Sequence, residues 1–257
     1  MKVRDILNAI KENEISIDEA EKLLSLHAIE HIEDIAKLDI NREVRRGVPE
    51  VIYAENKSFN DIRTIALKVL KKNDYVIISR VKDEDLKRLK NALKGYKMKI
   101  GKYSNTILAY KKELREEYGP IGILTAGTSD IGVAEEAEFV LNAMNCKVVK
   151  GYDVGVAGIH RLFPILKEMI ASDVDAIIVI AGMEGALASV VASLVDIPVI
   201  GVPTSIGYGF GSNGYGALAS MLQSCSFGLA VINIDNGIGA GAFASLIAKR
   251  VGKFKLS

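Results

Sequence analysis

Residues 127–130, Gly-Thr-Ser-Asp, stand where an apolar run gives way to a helix-period pattern. The run is Ile121–Ala126, and the pattern recurs at Val133, Ala137, Val140, Leu141 and Met144. A strand, a tight turn and a helix are expected. Gly127 lets backbone approach a ligand, and Thr128, Ser129 and Asp130 are good helix caps. A helix start bearing free N–H groups and small hydroxyls suits a phosphate. The same signal also occurs in α/β turns that hold no ligand.

Other polar residues recur at equivalent points downstream. His160-Arg161 closes a glycine-punctuated loop before a helix, Glu184 sits in Gly-Met-Glu-Gly, Ser205 and Asn213 lie in a glycine-rich loop, and Asp235 follows the last apolar run. Each falls at or just after an expected strand end. Open parallel sheets gather such ends on one edge and bind ligands there. Hydroxyls, one histidine and glycine-lined loops read as a site for a phosphorylated small molecule. Glu184, among small residues, is expected either as a buried carboxylate fit for general-base work or as an exposed turn residue. Cys225, read from its surroundings alone, is a buried structural cysteine.

The elements that position these groups follow from composition. The chain has 257 residues, 49% hydrophobic and 25% charged, with a net charge of +1. That describes a globular chain with material for one large domain or two ordinary ones, and it gives no reason to expect nucleic acid. Residues 177–202 are apolar but contain Glu184, Asp196, Pro198 and several glycines, so buried core is expected there and no membrane span. The start, Met1-Lys2 followed by VRDILNAIKENE, is too charged for a signal segment. Two cysteines make neither a disulfide framework nor a metal site, and a cytoplasmic location is expected.

Of the 23 glycines, only Gly47, Gly95 and Gly101 precede residue 118, and the first part is lysine-rich. Two domains are expected, residues 1–118 and 119–257, joined by the charged stretch 111–118. The second reads as a doubly wound parallel sheet in three αβα layers. The first reads as a smaller α/β unit: helices over 3–11 and 18–38 (Asp18 and Glu21 as a capping box), a strand at 51–53, a helix capped by Ser58, a strand over 74–80, a helix over 83–93 and one or two strands in 98–110. His27 and His31 share a helix face but lack a third ligand, so they read as solvent-facing or packing residues. Asp39, Arg42 and Arg45 are spaced to meet on a helical turn. Arg42 and Arg45 read either as a solvated helix end or as an anion clamp. Lys57, beside a turn, could reach a phosphate.

GTSD after a strand, AGIHR before a helix, IAGMEGALASVVASLVDIPVIGVP and the MLQ segment resemble the aminoimidazole ribonucleotide carboxylase and mutase superfamily over about residues 119–250. That resemblance implies Ser129 and Asp130 on the substrate and His160 as a proton-shuttling imidazole near CO2, while Gly127, Thr128 and Arg161 are substrate-binding candidates from their places at the turn and the helix entrance. Glu184, Ser224-Cys225, the long N-terminal part and NIDNG depart from the purine enzymes. Together with LDINREVRRGVPEVIYAENK, TAGTSDIGVAEEAE and CSFGLAVINIDNG, they resemble the pyridinium-3,5-biscarboxylic acid mononucleotide synthases of nickel-pincer cofactor biosynthesis, across nearly the whole chain.

This second resemblance implies carboxylation of the nicotinate ring of nicotinic acid adenine dinucleotide by CO2 or bicarbonate, with phosphoanhydride hydrolysis releasing AMP. Cys225 would be the nucleophile, Glu184 the base and His160 a CO2-site or proton-transfer residue. Arg42, Arg45 and Lys57 would hold the AMP or diphosphate half. Mg2+ is expected for the hydrolysis, with Asp130 and Asp235 as candidate ligands beside Glu184. A homo-oligomer is expected, with no nucleic-acid or membrane partner. Two other readings stay open: a purine-type carboxylase or mutase, and a non-catalytic nucleotide-binding module.

Overall fold

The structure, a computed structural model, describes residues 3–30 and 47–255. It divides into two compact units, residues 1–50 and 51–257. In the first, helices α1 (Val3–Lys11) and α2 (Ile17–Glu30) are described. Ser16, rather than Asp18, accepts the Glu19 N–H and caps α2, so the helix begins one residue before the expected start. His31, Asp39, Arg42 and Arg45 lie outside the described residues, as does the His27 side chain.

The second unit holds two sheets. A four-stranded mixed sheet contains β1 (Val51–Tyr53), β2 (Tyr75–Ser79), β3 (Lys97–Ile100) and β4 (Ile107–Tyr110), in the order β1-β2-β4-β3. Helices α3 (Phe59–Lys72) and α4 (Asp83–Ala92) bury their apolar faces against Val76, Ile78 and Ile107. Ser58 caps α3 by accepting the Asp61 N–H at 3.2 Å, as the sequence implies. β2 alternates strictly: Val76 and Ile78 face these helices, while Ile77 and Ser79 take the opposite face.

The larger sheet is wholly parallel and contains β5 (Tyr118–Thr125), β6 (Cys146–Gly151), β7 (Ala176–Ala181), β8 (Val199–Pro203) and β9 (Leu229–Val231), in the order β6-β5-β7-β8-β9. Every residue of β7 is buried, as a central strand covered on both faces requires. Helices α6 (Leu162–Ala171), α7 (Ala186–Leu194) and α8 (Tyr215–Leu222) cover one face, where Leu166, Met169, Leu187 and Val191 pack on Leu124, Ile177 and Val179. Ile170, one turn beyond the buried Leu166 on α6, is half exposed.

The other face carries α5 (Ile131–Ala143) and α9 (Gly237–Lys255). These two helices approach closely because glycine faces backbone. A Cβ on Gly237 would stand 2.1 Å from the Val133 carbonyl oxygen, and one on Gly241 2.6 Å from that of Ala137.

Helix α5 also binds the mixed sheet through adjacent carboxylates. Glu135 accepts three successive backbone N–H groups, from Lys102, Tyr103 and Ser104, at 2.8–3.0 Å. Glu136 accepts the Ser79 hydroxyl at 2.5 Å in a buried setting. The helix that follows the 127–130 turn is therefore fastened to the neighbouring sheet in its second turn.

Among the described residues, no helix is long and apolar enough to cross a membrane.

Candidate functional site

β5 ends at Thr125, and a 3-10 turn over Thr128–Asp130 leads into α5. Thr128 and Ser129 are exposed, whereas Asp130 is only 3% exposed. Its carboxylate turns inward. One oxygen accepts the Gly127 N–H at 2.8 Å and the other accepts the Thr204 hydroxyl at 2.8 Å. Burial pushes the Asp130 carboxyl above its ordinary range and the charge of Asp235 adds to this, while the two hydrogen bonds oppose it. Asp130 thus serves as the brace of the turn, and the outward hydroxyls are left to Thr128 and Ser129.

The other loops on this edge are knitted to the same brace. Thr204 follows β8, and its N–H donates to the Ala181 carbonyl at the end of β7. Ser205 N–H donates to Asp235 at 2.8 Å, and Asp235 N–H returns to Pro203 at 2.9 Å. Gly182 passes so close to the 204–206 segment that a Cβ there would stand 2.2 Å from the Ile206 carbonyl oxygen. Asn236 accepts the Gly239 N–H at 2.8 Å at the start of α9. Segments 127–130, 182–185, 204–206 and 235 form one hydrogen-bonded rim at the strand C-termini.

Glu184 stands on that rim, exposed, in the turn between β7 and α7. The buried carboxylates of the region are instead Asp130 and Glu136. The apolar neighbours of Glu184 in sequence, Leu187 and Ala188, point into the core and leave its side chain outside.

His160 and Arg161 close a 3-10 turn before α6, both exposed, with Arg161 paired to Asp153. That exposed pair contributes little and leaves the guanidinium free to exchange partners. Lys57 is exposed in the turn after β1, one residue before the α3 cap.

Cys225 is exposed in the loop from α8 into β9, which corrects the buried structural cysteine that its surroundings alone suggest. This loop begins the strand, because Gly228 accepts the N–H of Val199, the first residue of β8. Next to it, Ser226 donates its hydroxyl to the Ser189 carbonyl on α7 at 3.0 Å. Ser189 lies four residues beyond Gly185, about 6 Å or one helical turn along α7. The cysteine loop thus packs on α7 at the edge where β8 and β9 begin, whereas the Glu184 turn opens that helix at the rim, so within one chain Cys225 and Glu184 stand at opposite edges of the sheet. Cys146 is buried in β6, and burial pushes its thiol up.

The donor set does not make a cage for Mg2+. Asp130 spends both oxygens inward and Asp235 spends Oδ1 on Ser205. Among the described residues, no three His, Cys, Asp or Glu side chains converge as metal ligands.

Residues 120–253 match the model of AIR carboxylase, and residues 29–110 match that of the LarB/PurE-like N-terminal domain. The chain belongs to the AIR carboxylase family. The family domain contains the parallel sheet and the whole rim just described, and the companion domain contains the mixed sheet that α5 grips. An uncharacterized protein of Methanocaldococcus jannaschii is 52% identical over 253 residues, covering 96% of this chain and 97% of that one. An N5-carboxyaminoimidazole ribonucleotide mutase of the same organism is 33% identical over 126 residues, covering 48% of this chain and 75% of that one.

Four residues of the site escape a reading by type and spacing: Ser79, Arg80, Glu136 and Thr204. Ser79-Arg80 breaks the apolar run of β2 at its end, and Thr204 breaks that of β8. Those polar strand ends are the available signal. Glu136 lies in a helix buried on more than one face, with no local mark that its carboxylate is among the buried groups.

Proposed function

We propose that this chain carboxylates the pyridinium ring of nicotinic acid adenine dinucleotide and cleaves its phosphoanhydride, giving pyridinium-3,5-biscarboxylic acid mononucleotide and AMP. The observation that carries this reading is the union of the two matched domains in one chain, with an exposed cysteine available as a nucleophile. A mononucleotide carboxylase needs neither the thiol nor the mixed sheet.

The chemistry gives each residue a task. A pyridinium carbon is electron-poor and cannot attack CO2. The Cys225 thiolate adds to the ring and turns it into a dihydropyridine, whose enamine carbon is nucleophilic. That carbon attacks CO2 and becomes tetrahedral. Glu184 removes its proton, the C–S electron pair returns to the sulfur, and the aromatic pyridinium reforms. A thiolate suits both halves of the cycle because it attacks and leaves readily.

His160 serves the CO2 site or relays the proton. Water cleaves the phosphoanhydride, adding its oxygen to one phosphorus as AMP leaves with the bridging bond's electron pair. Thr128, Ser129 and the adjoining backbone hold the mononucleotide phosphate, with Arg161 exchanging Asp153 for it. Lys57 serves the adenylate half.

Exposed aromatic residues at Tyr208, Phe210, Tyr215 and Phe227 flank the rim and the cysteine loop. Surfaces of this kind mark association, and the proposal includes a homo-oligomer in which the Cys225 loop of one subunit meets the Glu184 rim of another.

The test is incubation with the dinucleotide and 13C-bicarbonate. Label in a dicarboxylated mononucleotide, with AMP released, supports the reading; an untouched dinucleotide refutes it. The 33% identity to the mutase favours a second reading, turnover of an aminoimidazole ribonucleotide by the same rim, and the same assay with that substrate decides it.

A further inference from the structure

The rim at the parallel sheet is rich in carboxylates. The cation that faces Asp235 and Glu136 among the described residues comes from the other sheet. Arg80 follows the last residue of β2 with φ of 56°, a left-handed backbone that a residue with a long side chain adopts infrequently. The turn carries its guanidinium to the Asp235 segment, where Nη2 donates to the Asp235 carbonyl oxygen at 3.2 Å. Nη1 meets Glu55 at 3.4 Å. The charge of Arg80 also bears on Glu136.

Little of this arrangement is needed for folding. The Arg80–Glu55 pair is long, with the two side chains 42% and 62% exposed, and such pairs contribute almost nothing. A guanidinium presents five N–H donors in a planar fork that matches phosphate. The two contacts leave the rest of that fork open. β1 and β2 run parallel and end in register at Tyr53 and Ser79, so the turn bearing Lys57 leaves from the same end as Arg80. Two cations thus stand at the end of the mixed sheet that adjoins the rim.

We propose that Arg80 selects ligands carrying a diphosphate. It takes the second phosphate when the first lies on the Thr128–Asp130 turn. This rests on the dinucleotide reading and deepens it. A single phosphate on the turn is satisfied by local N–H and hydroxyl donors. A second phosphate is brought toward Glu55 and Asp235, which repel it, and a cation must stand between them. Arg80 occupies that place, and it belongs to the module matched by the N-terminal domain model.

Titration calorimetry on the full chain tests this with wild type, Arg80→Ala and Arg80→Lys. The expected result is at least a tenfold weaker binding of nicotinic acid adenine dinucleotide by Arg80→Ala. Nicotinic acid mononucleotide should change less than twofold, and Arg80→Lys should recover part of the loss. Equal weakening of both ligands, an unchanged dinucleotide, or a wild type that binds the dinucleotide no better than the mononucleotide overturns the proposal. ADP-ribose separates the two claims, because it has the diphosphate without the nicotinate ring. If wild type carboxylates no dinucleotide but Arg80→Ala still binds ADP-ribose tenfold more weakly, the catalytic reading fails and this one stands. If wild type carboxylates the dinucleotide and Arg80→Ala binds it normally, the reverse holds.

Discussion

Thr204 donates its hydroxyl to Asp130 across 74 residues of sequence, and both are buried. That bond joins the turn after β5 to the end of β8 and gives the rim its shape. Asp130 is held above its ordinary 3.8 by burial. Folding therefore draws a proton onto it: between 3.8 and the raised value, the folded chain binds more protons than the unfolded one. The stability from this group is full below that window and is lost as pH rises through the folded value. Asp130→Asn stays neutral throughout and escapes the loss. Urea titrations of both proteins from about pH 4 to about pH 8 should show the difference moving in the variant's favour as pH rises. A difference that stays constant contradicts this account.

The buried bond from Ser79 to Glu136 fastens α5 to the mixed sheet. Ser79→Ala leaves the carboxyl without that donor, at a cost of about 1–3 kcal/mol. Burial raises the Glu136 carboxyl and the Ser79 hydroxyl opposes this. The charged form needs the donor most, so the loss should be larger at high pH than at low pH. A change within about 0.5 kcal/mol at all pH values would mean that the sheet does not depend on this contact.

The sequence makes the sheet and its order of elements legible because the signals are local. Unbroken apolar runs at β7 and β8 and helix-period stripes between them leave few alternatives. The GTSD turn is visible for the same reason. The inward turn of Asp130 is not visible, since Thr204 lies far along the chain and its hydroxyl competes with the expected capping role. Glu184 shows the converse. Small apolar neighbours pointed equally to burial and exposure, and only the packing of Leu187 and Ala188 leaves it outside. Arg80 was hidden because its partner, the Asp235 carbonyl, belongs to backbone 155 residues away.

Gly182 is a close-approach residue. Gly182→Ala would drive a methyl into the Ile206 carbonyl, forcing the Glu184 turn away from the 204–206 segment. A loss of about 2 kcal/mol or more is expected, with activity falling further than stability alone accounts for. Gly95→Ala, with nothing within 4 Å, should stay within about 0.5 kcal/mol and serves as the control. Equal effects at the two positions would refute the close-approach argument.

The two cysteines should differ in reactivity. Cys225 is exposed, whereas Cys146 is buried with its thiol pushed up. Brief iodoacetamide treatment of the native protein, read by peptide mass, should label Cys225 and leave Cys146 untouched until the chain is unfolded. Label at Cys146 in the native protein would contradict the burial of that residue.

The central claim is that the Cys225 thiolate makes the nicotinate ring a carbon nucleophile. The most direct measurement is product mass after incubating wild type and Cys225→Ala with nicotinic acid adenine dinucleotide, bicarbonate and Mg2+. The account predicts a dicarboxylated mononucleotide with AMP from wild type, and no carboxylated product from the variant. Carboxylated product formed equally by Cys225→Ala would contradict the thiolate mechanism, and unchanged dinucleotide with wild type would contradict the reaction itself.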